Sequence, residues 1–299
     1  ENNVAADDDA FNAAGLNNQP GKSVIADPED TELNQLWAEF DARAIDPQWP
    51  VSVRGGRQRI ILDDARFVGN VGWRQLEQTF DAVRLKAEPF EDLHLDYSYV
   101  WDVNRIFGPD ADRDFNSDSH LINLRYEGLP VGTLTGFGYL LDLVNAGGEA
   151  LSSQSWGARL TGHRPVGERL DLHHTASAAW QRDFGDNPAD YDAFYFMGEL
   201  KLAHETGPFF GAGIEQLGSD DGQIAFSTPL ATLHKFNGFA DAFLATPAGG
   251  VRDAYAFAGS RLPAPLDGRF VLTGHHFAGD ESGGDLGWEI DAVFTHRFN

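Results

Sequence analysis

The 299-residue chain carries 46 acidic and 22 basic side chains, a net charge of -24, which argues against a broad basic surface for nucleic acid. It contains no cysteine, so disulfides, thiolate metal sites and cysteine nucleophiles are excluded together. Its mean hydropathy is -0.35, and no apolar run reaches the ~18 residues of a membrane-spanning helix. A membrane barrel stays open, because barrel strands conceal their hydrophobicity by alternating it. The 33 glycines and 22 phenylalanines, against one methionine, favour short turns and strands over packed helices.

Residues 1–30 are polar and rich in Asn, Asp, Ala and Gly, and read as a loop or arm. From about residue 31 to 299 the text becomes a succession of period-two segments, read as one barrel domain without a linker. The clearest is Leu93–Asn104, where Leu93, Leu95, Tyr97, Tyr99 and Trp101 fall on one face, and His94, Asp96, Ser98, Asp102 and Asn104 on the other. The pattern recurs at 122–127, 136–143, 155–161, 170–183, 194–202 and 288–297. Short turns with Pro or Gly, such as Arg164-Pro165-Val166-Gly167 and Thr206-Gly207-Pro208, alternate with longer acidic loops at 62–74, 105–118, 145–153, 183–190, 218–250 and 279–286. This predicts about 13 strands of roughly 10–14 residues, long enough to cross a bilayer when tilted. Short turns at one end and long loops at the other are the asymmetry of an outer-membrane barrel. A soluble β-sandwich or β-helix is the alternative, but its strands run nearer ~5–6 residues.

One face of the predicted strands is apolar. The other carries charges, among them Glu39, Asp41, Arg57, Arg59, Arg84, Asp96, Arg125, Arg159, Glu199, Glu215, Glu289, Asp291 and Arg297. A dry core could not hold them, whereas a hydrated lumen can. Arg54, Arg57 and Arg59 share a strand, with Arg74 and Arg84 close in sequence. A ring of such guanidinium groups would draw an anionic solute, and cross-strand pairing with carboxylates is the competing role. Arg54, Arg57, Arg59, Arg74, Arg84, Arg125 and Arg159 are therefore the pore-lining candidates. The loop 218–250 is long enough to fold into the lumen as a constriction, with Phe226, His234, Lys235, Phe236 and Phe239 as its candidate residues. Trp37, Trp49, Trp73, Trp101, Trp156, Trp180, Trp288, Tyr97 and Tyr99 fall near strand ends, where interfacial girdles place aromatic rings.

Asp110, Asp112, Asp114, Asn116 and Asp118 have the alternate oxygen spacing of a calcium loop, but lack its glycine and terminal glutamate and read as a solvated loop. The adjacent pairs His173-His174 and His275-His276 point to opposite faces of a strand, which argues against joint metal ligation. No catalytic constellation is found, and neither cofactor nor metal is expected.

The text GRQRIILDDARFVGNVGWRQLEQTFDAVRL at 56–85 resembles the alginate export family. ADPEDTELNQ at 26–35, VWDVNRIFGPD at 100–110, GDNPADYDA at 185–193 and STPLATLHKFNGFADAFLATPAGG at 227–250 resemble it as well. The resemblance runs from about residue 25 to the end. It implies an 18-stranded barrel in the bacterial outer membrane that passes an anionic polysaccharide or other solute, with Arg57, Arg59, Arg74 and Arg84 as pore residues in the first block. The overall acidity departs from that picture. An odd strand count and the ending Phe298-Asn299 lead us to expect strands missing at both ends. The expected function is a porin-like channel for a small anionic or polar solute, an acidic saccharide included, with outer-membrane lipid around it. The alternative is a plugged scaffold barrel that binds partner proteins through acidic loops, and an outer-membrane lipase or deacylase would need a Ser/His/acid cluster that the sequence does not supply.

Overall fold

A computed structural model describes residues 2–3, 10–109, 113–145, 147–263 and 267–296. Asp110, Asp112, Arg297 and the ending Phe298-Asn299 lie outside them. Thirteen strands form the wall. In chain order they are β1 (Leu36–Asp41), β2 (Val51–Gln58), β3 (Thr79–Phe90), β4 (Leu93–Asn104) and β5 (Phe115–Leu129). Then come β6 (Gly132–Leu141), β7 (Ser153–Val166), β8 (Leu170–Asp183), β9 (Asp192–His204) and β10 (Phe209–Leu217). The last are β11 (Val251–Leu262), β12 (Gly268–Ala278) and β13 (Asp285–His296). Each pairs antiparallel with its chain neighbours in one 13-stranded sheet. The chain thus builds an all-β meander in which every connection is local, and the strand number matches the sequence expectation.

Connections of a few residues, such as Glu91–Asp92 and Pro130–Val131, close the hairpins at one end, while the long loops 59–78 and 218–250 leave from the other. At the first of these turns Asp92 adopts a φ of +61°, a left-handed position that Asp tolerates.

Burial is inverted relative to a water-soluble sheet. On β9, Phe194, Phe196 and Leu200 are exposed, while Ala193 and Tyr195, which alternate with the two phenylalanines, are fully buried. On β13, Trp288, Ile290 and Phe294 are exposed. On β10, Phe210 and Ile214 are exposed, and Glu215 is buried. Period two sends one set outward, and only lipid accepts so continuous an apolar surface.

The sheet is curled around its two longest loops. Asp63 accepts a hydrogen bond from Asn123 on β5, and Lys235 donates to the Asp64 carbonyl at 2.6 Å. Four residues further on, Phe239 N–H reaches Asp291 on β13 at 3.4 Å. From β5 to β13 a flat sheet would measure roughly 38 Å at about 4.8 Å per strand. A few residues of chain bridge it only because the wall is rolled.

A bulge breaks the alternation on β4. Ala82 pairs with Val100 and Phe80 with Val103, so Trp101 and Asp102 together occupy the place of one residue. Phe80, Ala82, Val100 and Val103 are buried inside. Asp102 therefore shares the outward face with Asp81, against the sequence expectation that it faced inward. The residues expected as an arm are docked: Asp27 accepts from the Gln75 amide at 3.0 Å, and Arg113 donates to the Ala14 carbonyl at 3.0 Å.

Candidate functional site

The inward face of the wall and the two loops that lie on it make the candidate site. Loop 59–78 carries the apolar residues Ile60, Leu62, Phe67 and Val68, which join the wall residues Phe80, Val100, Leu121 and Phe137 in one core. Phe67 packs its ring against Phe137 on β6, Tyr195 on β9 and Phe226 of the other loop, with ring centroids 4.9–5.9 Å apart. Loop 218–250 crosses to meet it. Gly69 N–H donates to the Leu230 carbonyl at 2.9 Å, Thr232 N–H to the Ala65 carbonyl at 3.0 Å, and the Gln78 side chain to the Leu230 carbonyl at 3.0 Å. Trp73 stacks on His234 at 3.6 Å, and His234 on Phe239 at 5.0 Å.

The candidate loop residues take up distinct places. Phe226 is fully buried. His234 pairs with Asp241 at 2.8 Å, and the Phe236 ring lies against the Arg66 guanidinium at 4.8 Å. The backbone next to Phe239 is held by the wall, where Ala240 N–H donates to Glu289 at 2.7 Å. Loop 59–78 was not expected to turn inward. The signal was available in the apolar run Ile60-Ile61-Leu62 and in Phe67-Val68, which a solvated loop does not need.

All seven candidate arginines stand beside a carboxylate. Arg54 pairs with Glu39 at 2.7 Å and lies over Trp37 at 3.8 Å. Arg84 donates to Asp96 at 2.8 Å, and Arg159 pairs with Asp64 at 2.8 Å. Arg125 pairs with Glu127 at 3.4 Å near a short turn. Arg59 donates to Glu77 at 2.7 Å within the base of loop 59–78, and Arg74 reaches Asp27 at 3.5 Å. Arg57 pairs with Asp81 at 2.8 Å. That pair is on the outward face, so Arg57 does not join Arg54 and Arg84: it stands three residues from Arg54, and an odd step along a strand changes face. The seven do not form one ring. Arg54, Arg84, Arg125 and Arg159 share the inward face, while Arg59 and Arg74 belong to loops.

Two of the expected girdle aromatics also sit elsewhere. Trp37 shares the inward face with Glu39, under Arg54, and Trp73 belongs to the stack between the loops. Of the histidine pairs, His275 faces inward between Asp253 at 2.9 Å and Asp291 at 3.6 Å, while His276 faces outward toward Asp285.

Two cavities flank the loops. One, of about 470 Å³, lies against β2–β6 and is lined by Arg43, Arg84, Lys86 and Arg125 together with Asp63, Glu88 and Asp96. The other, of about 350 Å³, lies against β7–β13 under Lys235–Phe239, with Tyr255, Phe257, Glu199 and Asp291 in its lining. Asp63 faces the first and Asp64 the second. Burial pushes the Asp63 carboxyl above its ordinary value, which the hydrogen bond from Asn123 and the charge of Arg159 only partly offset. At the base of the same loop, burial would raise Glu77, but hydrogen bonds from Arg59, Asn34 and Asn70 outweigh it and hold that carboxyl below the ordinary range.

Sequence reasoning missed Arg66. Its side chain is 2% exposed and pairs with Glu215 at 2.6 Å. Nothing in a single sequence distinguishes it from the five other arginines between residues 54 and 84, because its partner is 149 positions away.

The architecture is shared with solved structures. OccK8 (OprE) of Pseudomonas aeruginosa aligns with a TM-score of 0.62 at 15% identity, over 82% of this chain and 68% of that one. The outer membrane protein OpdK of the same organism aligns with a TM-score of 0.62 at 16% identity, over 82% and 66%. A BenF-like porin from Pseudomonas fluorescens Pf-5 aligns with a TM-score of 0.52 at 13% identity, over 82% and 70%. The chain thus spans about two thirds of the first two. At such identities the likeness carries the fold, that of an outer-membrane porin-like barrel. No curated protein matches the sequence. The family model for alginate export matches residues 4–216, well over half of the chain, and the chain belongs to that family of bacterial outer-membrane β-barrel proteins.

Proposed function

We propose that the chain forms a channel for a small anionic or polar solute, an acidic saccharide being one such class. The observation that carries this reading is the cavity against β2–β6. It gathers Arg84, Lys86 and Arg125 from the inward face of a wall whose other face is apolar, with Arg43 from the turn between β1 and β2. Pairing with carboxylates mutes the three arginine charges without removing their donors, since a guanidinium has five N–H groups and one carboxylate engages two at most. Hydroxyls and carboxylates of a passing solute can take the remaining donors in turn. The same pairing argues for modest selectivity, because arginines paired with carboxylates focus less field than bare ones. The test is single-channel current from the full-length, folded protein in planar bilayers, with salts of sugar acids of increasing size. We expect conductance with a mild anion preference, and a complete lack of current would sink the reading.

A second reading has its own support. The two loops meet across the interior through backbone hydrogen bonds and a buried aromatic cluster, as a plug would. On that reading the barrel is a scaffold that engages partner proteins through its acidic loops. A folded protein that passes neither ions nor water would favour it.

A further inference from the structure

Loop 59–78, both limbs of loop 218–250 and the wall converge on one guanidinium. Arg66 Nε donates to Glu215 Oε1 on β10 at 2.6 Å, Nη1 to Thr228 Oγ1 at 3.0 Å and Nη2 to Asn237 Oδ1 at 3.4 Å. Its planar face lies 4.8 Å from the Phe236 ring centre and 5.8 Å from that of Tyr195. Glu215 also accepts from the Tyr195 hydroxyl at 2.8 Å and from the Asn237 amide at 2.8 Å. The two charged side chains are 2% and 6% exposed. The other inward arginines that pair with wall carboxylates are more open to water and touch one loop at most.

We propose that the Arg66–Glu215 pair is the lock that holds both loops against the wall, and so fixes the cross-section left for solute. The second half of this statement rests on the channel reading. The physical ground is an asymmetry of buried ion pairs. Removing one partner leaves a charge without compensation in a dry place, and water must reach it. Glu215 borders the cavity under Lys235–Phe239, and water entering from there to surround an orphaned charge must part loop 218–250 from the wall. Removing both partners leaves no buried charge: aliphatic side chains fill the space between Tyr195 and Phe236, and the neutral hydrogen bonds that Tyr195, Thr228 and Asn237 lose cost less than an orphaned charge, so the loops stay down. Because Thr228 and Asn237 flank the crossing of loop 218–250, the two loops release together.

The experiment compares wild type, Arg66→Met and the double variant Arg66→Met/Glu215→Leu in the full-length protein, with folding checked by heat-modifiable migration. Two readouts are taken. Lys-C digestion of the detergent-solubilised barrel reports loop release through cleavage after Lys235, since a protease cannot enter the lumen. Planar-bilayer current and liposome swelling in sugars of increasing size report the cross-section. Arg66→Met is expected to raise cleavage after Lys235 at least about tenfold, equivalent to 1.4 kcal/mol of lost closure. It is also expected to carry larger, noisier currents and admit larger sugars, and the double variant should restore wild-type behaviour in both readouts. Should Arg66→Met fail to fold, Glu215→Gln takes its place, because it leaves Arg66 uncompensated at nearly constant shape. An Arg66→Met or Glu215→Gln protein indistinguishable from wild type, or a double variant as open as the single one, overturns the proposal. If wild type carries no current while the cleavage pattern follows expectation, the lock holds and the channel reading falls.

Discussion

The outer face of the wall and the loop-filled interior obey different rules. Outside, Phe194, Phe196, Phe210, Ile214, Ile290 and Phe294 are each exposed, and each meets the same demand from lipid. Any large apolar residue serves there, and the positions act almost independently. Inside, Phe226 is buried only because Phe67 and Tyr195 close over it, and Glu215 is tolerated only because three donors reach it. The comparison teaches that a repeating solvent writes a repeating pattern, whereas a packed interior is built from particular partners.

The largest expected effect lies inside. Phe226→Ala removes a fully buried ring and should cost about 3–5 kcal/mol of loop closure. Hydrogen exchange should show the loss in loops 59–78 and 218–250 and not in β3–β9; uniform loss along the wall would erase the distinction between the two regions. Next comes the outer face. Ile290→Arg, on a residue 62% exposed to lipid, should cost about 2–4 kcal/mol if it lies near the bilayer midplane. Thr273→Arg, whose register partner is the inward Asp291 on the neighbouring strand, should cost clearly less. Urea unfolding in liposomes measures both, and equal costs would mean that the faces are misassigned.

The Arg54–Glu39 pair is smaller still. It is partly open to water, so Arg54→Met should change stability by at most about 1 kcal/mol, with a slight fall in anion preference in bilayers. The smallest effect depends on pH. Glu77 is held below its ordinary value in the folded loop, so its contribution is complete above the ordinary glutamate range and is lost as pH falls through the lowered value. Acidification should loosen the base of loop 59–78, read by amide exchange at Gln75–Gln78, and Glu77→Gln should flatten that dependence without affecting the outer wall.

Much of the wall was legible in the text. Alternation at 93–104, 170–183 and 194–202 placed β4, β8 and β9, because each residue there answers to its own surroundings. Trp101 and Asp102 marked the limit: a bulge depends on two strands at once, and β4 alone does not reveal it. Arg54 and Arg57 were grouped by nearness in sequence, though an odd step parts them. Trp73 was read as an interfacial ring, and instead stacks on His234, since only the crossing of the loops brings those side chains within 3.6 Å.

By itself the sequence determined the meander, the apolar outer face, the charged inner face and the family, since these follow from period-two alternation and from contiguous blocks of text. The tertiary structure alone decided that loop 59–78 also turns inward, which carboxylate each candidate arginine meets, and that Arg66 meets Glu215. Those contacts join residues far apart in the chain, and their energy arises only once the rolled wall has excluded water from between them.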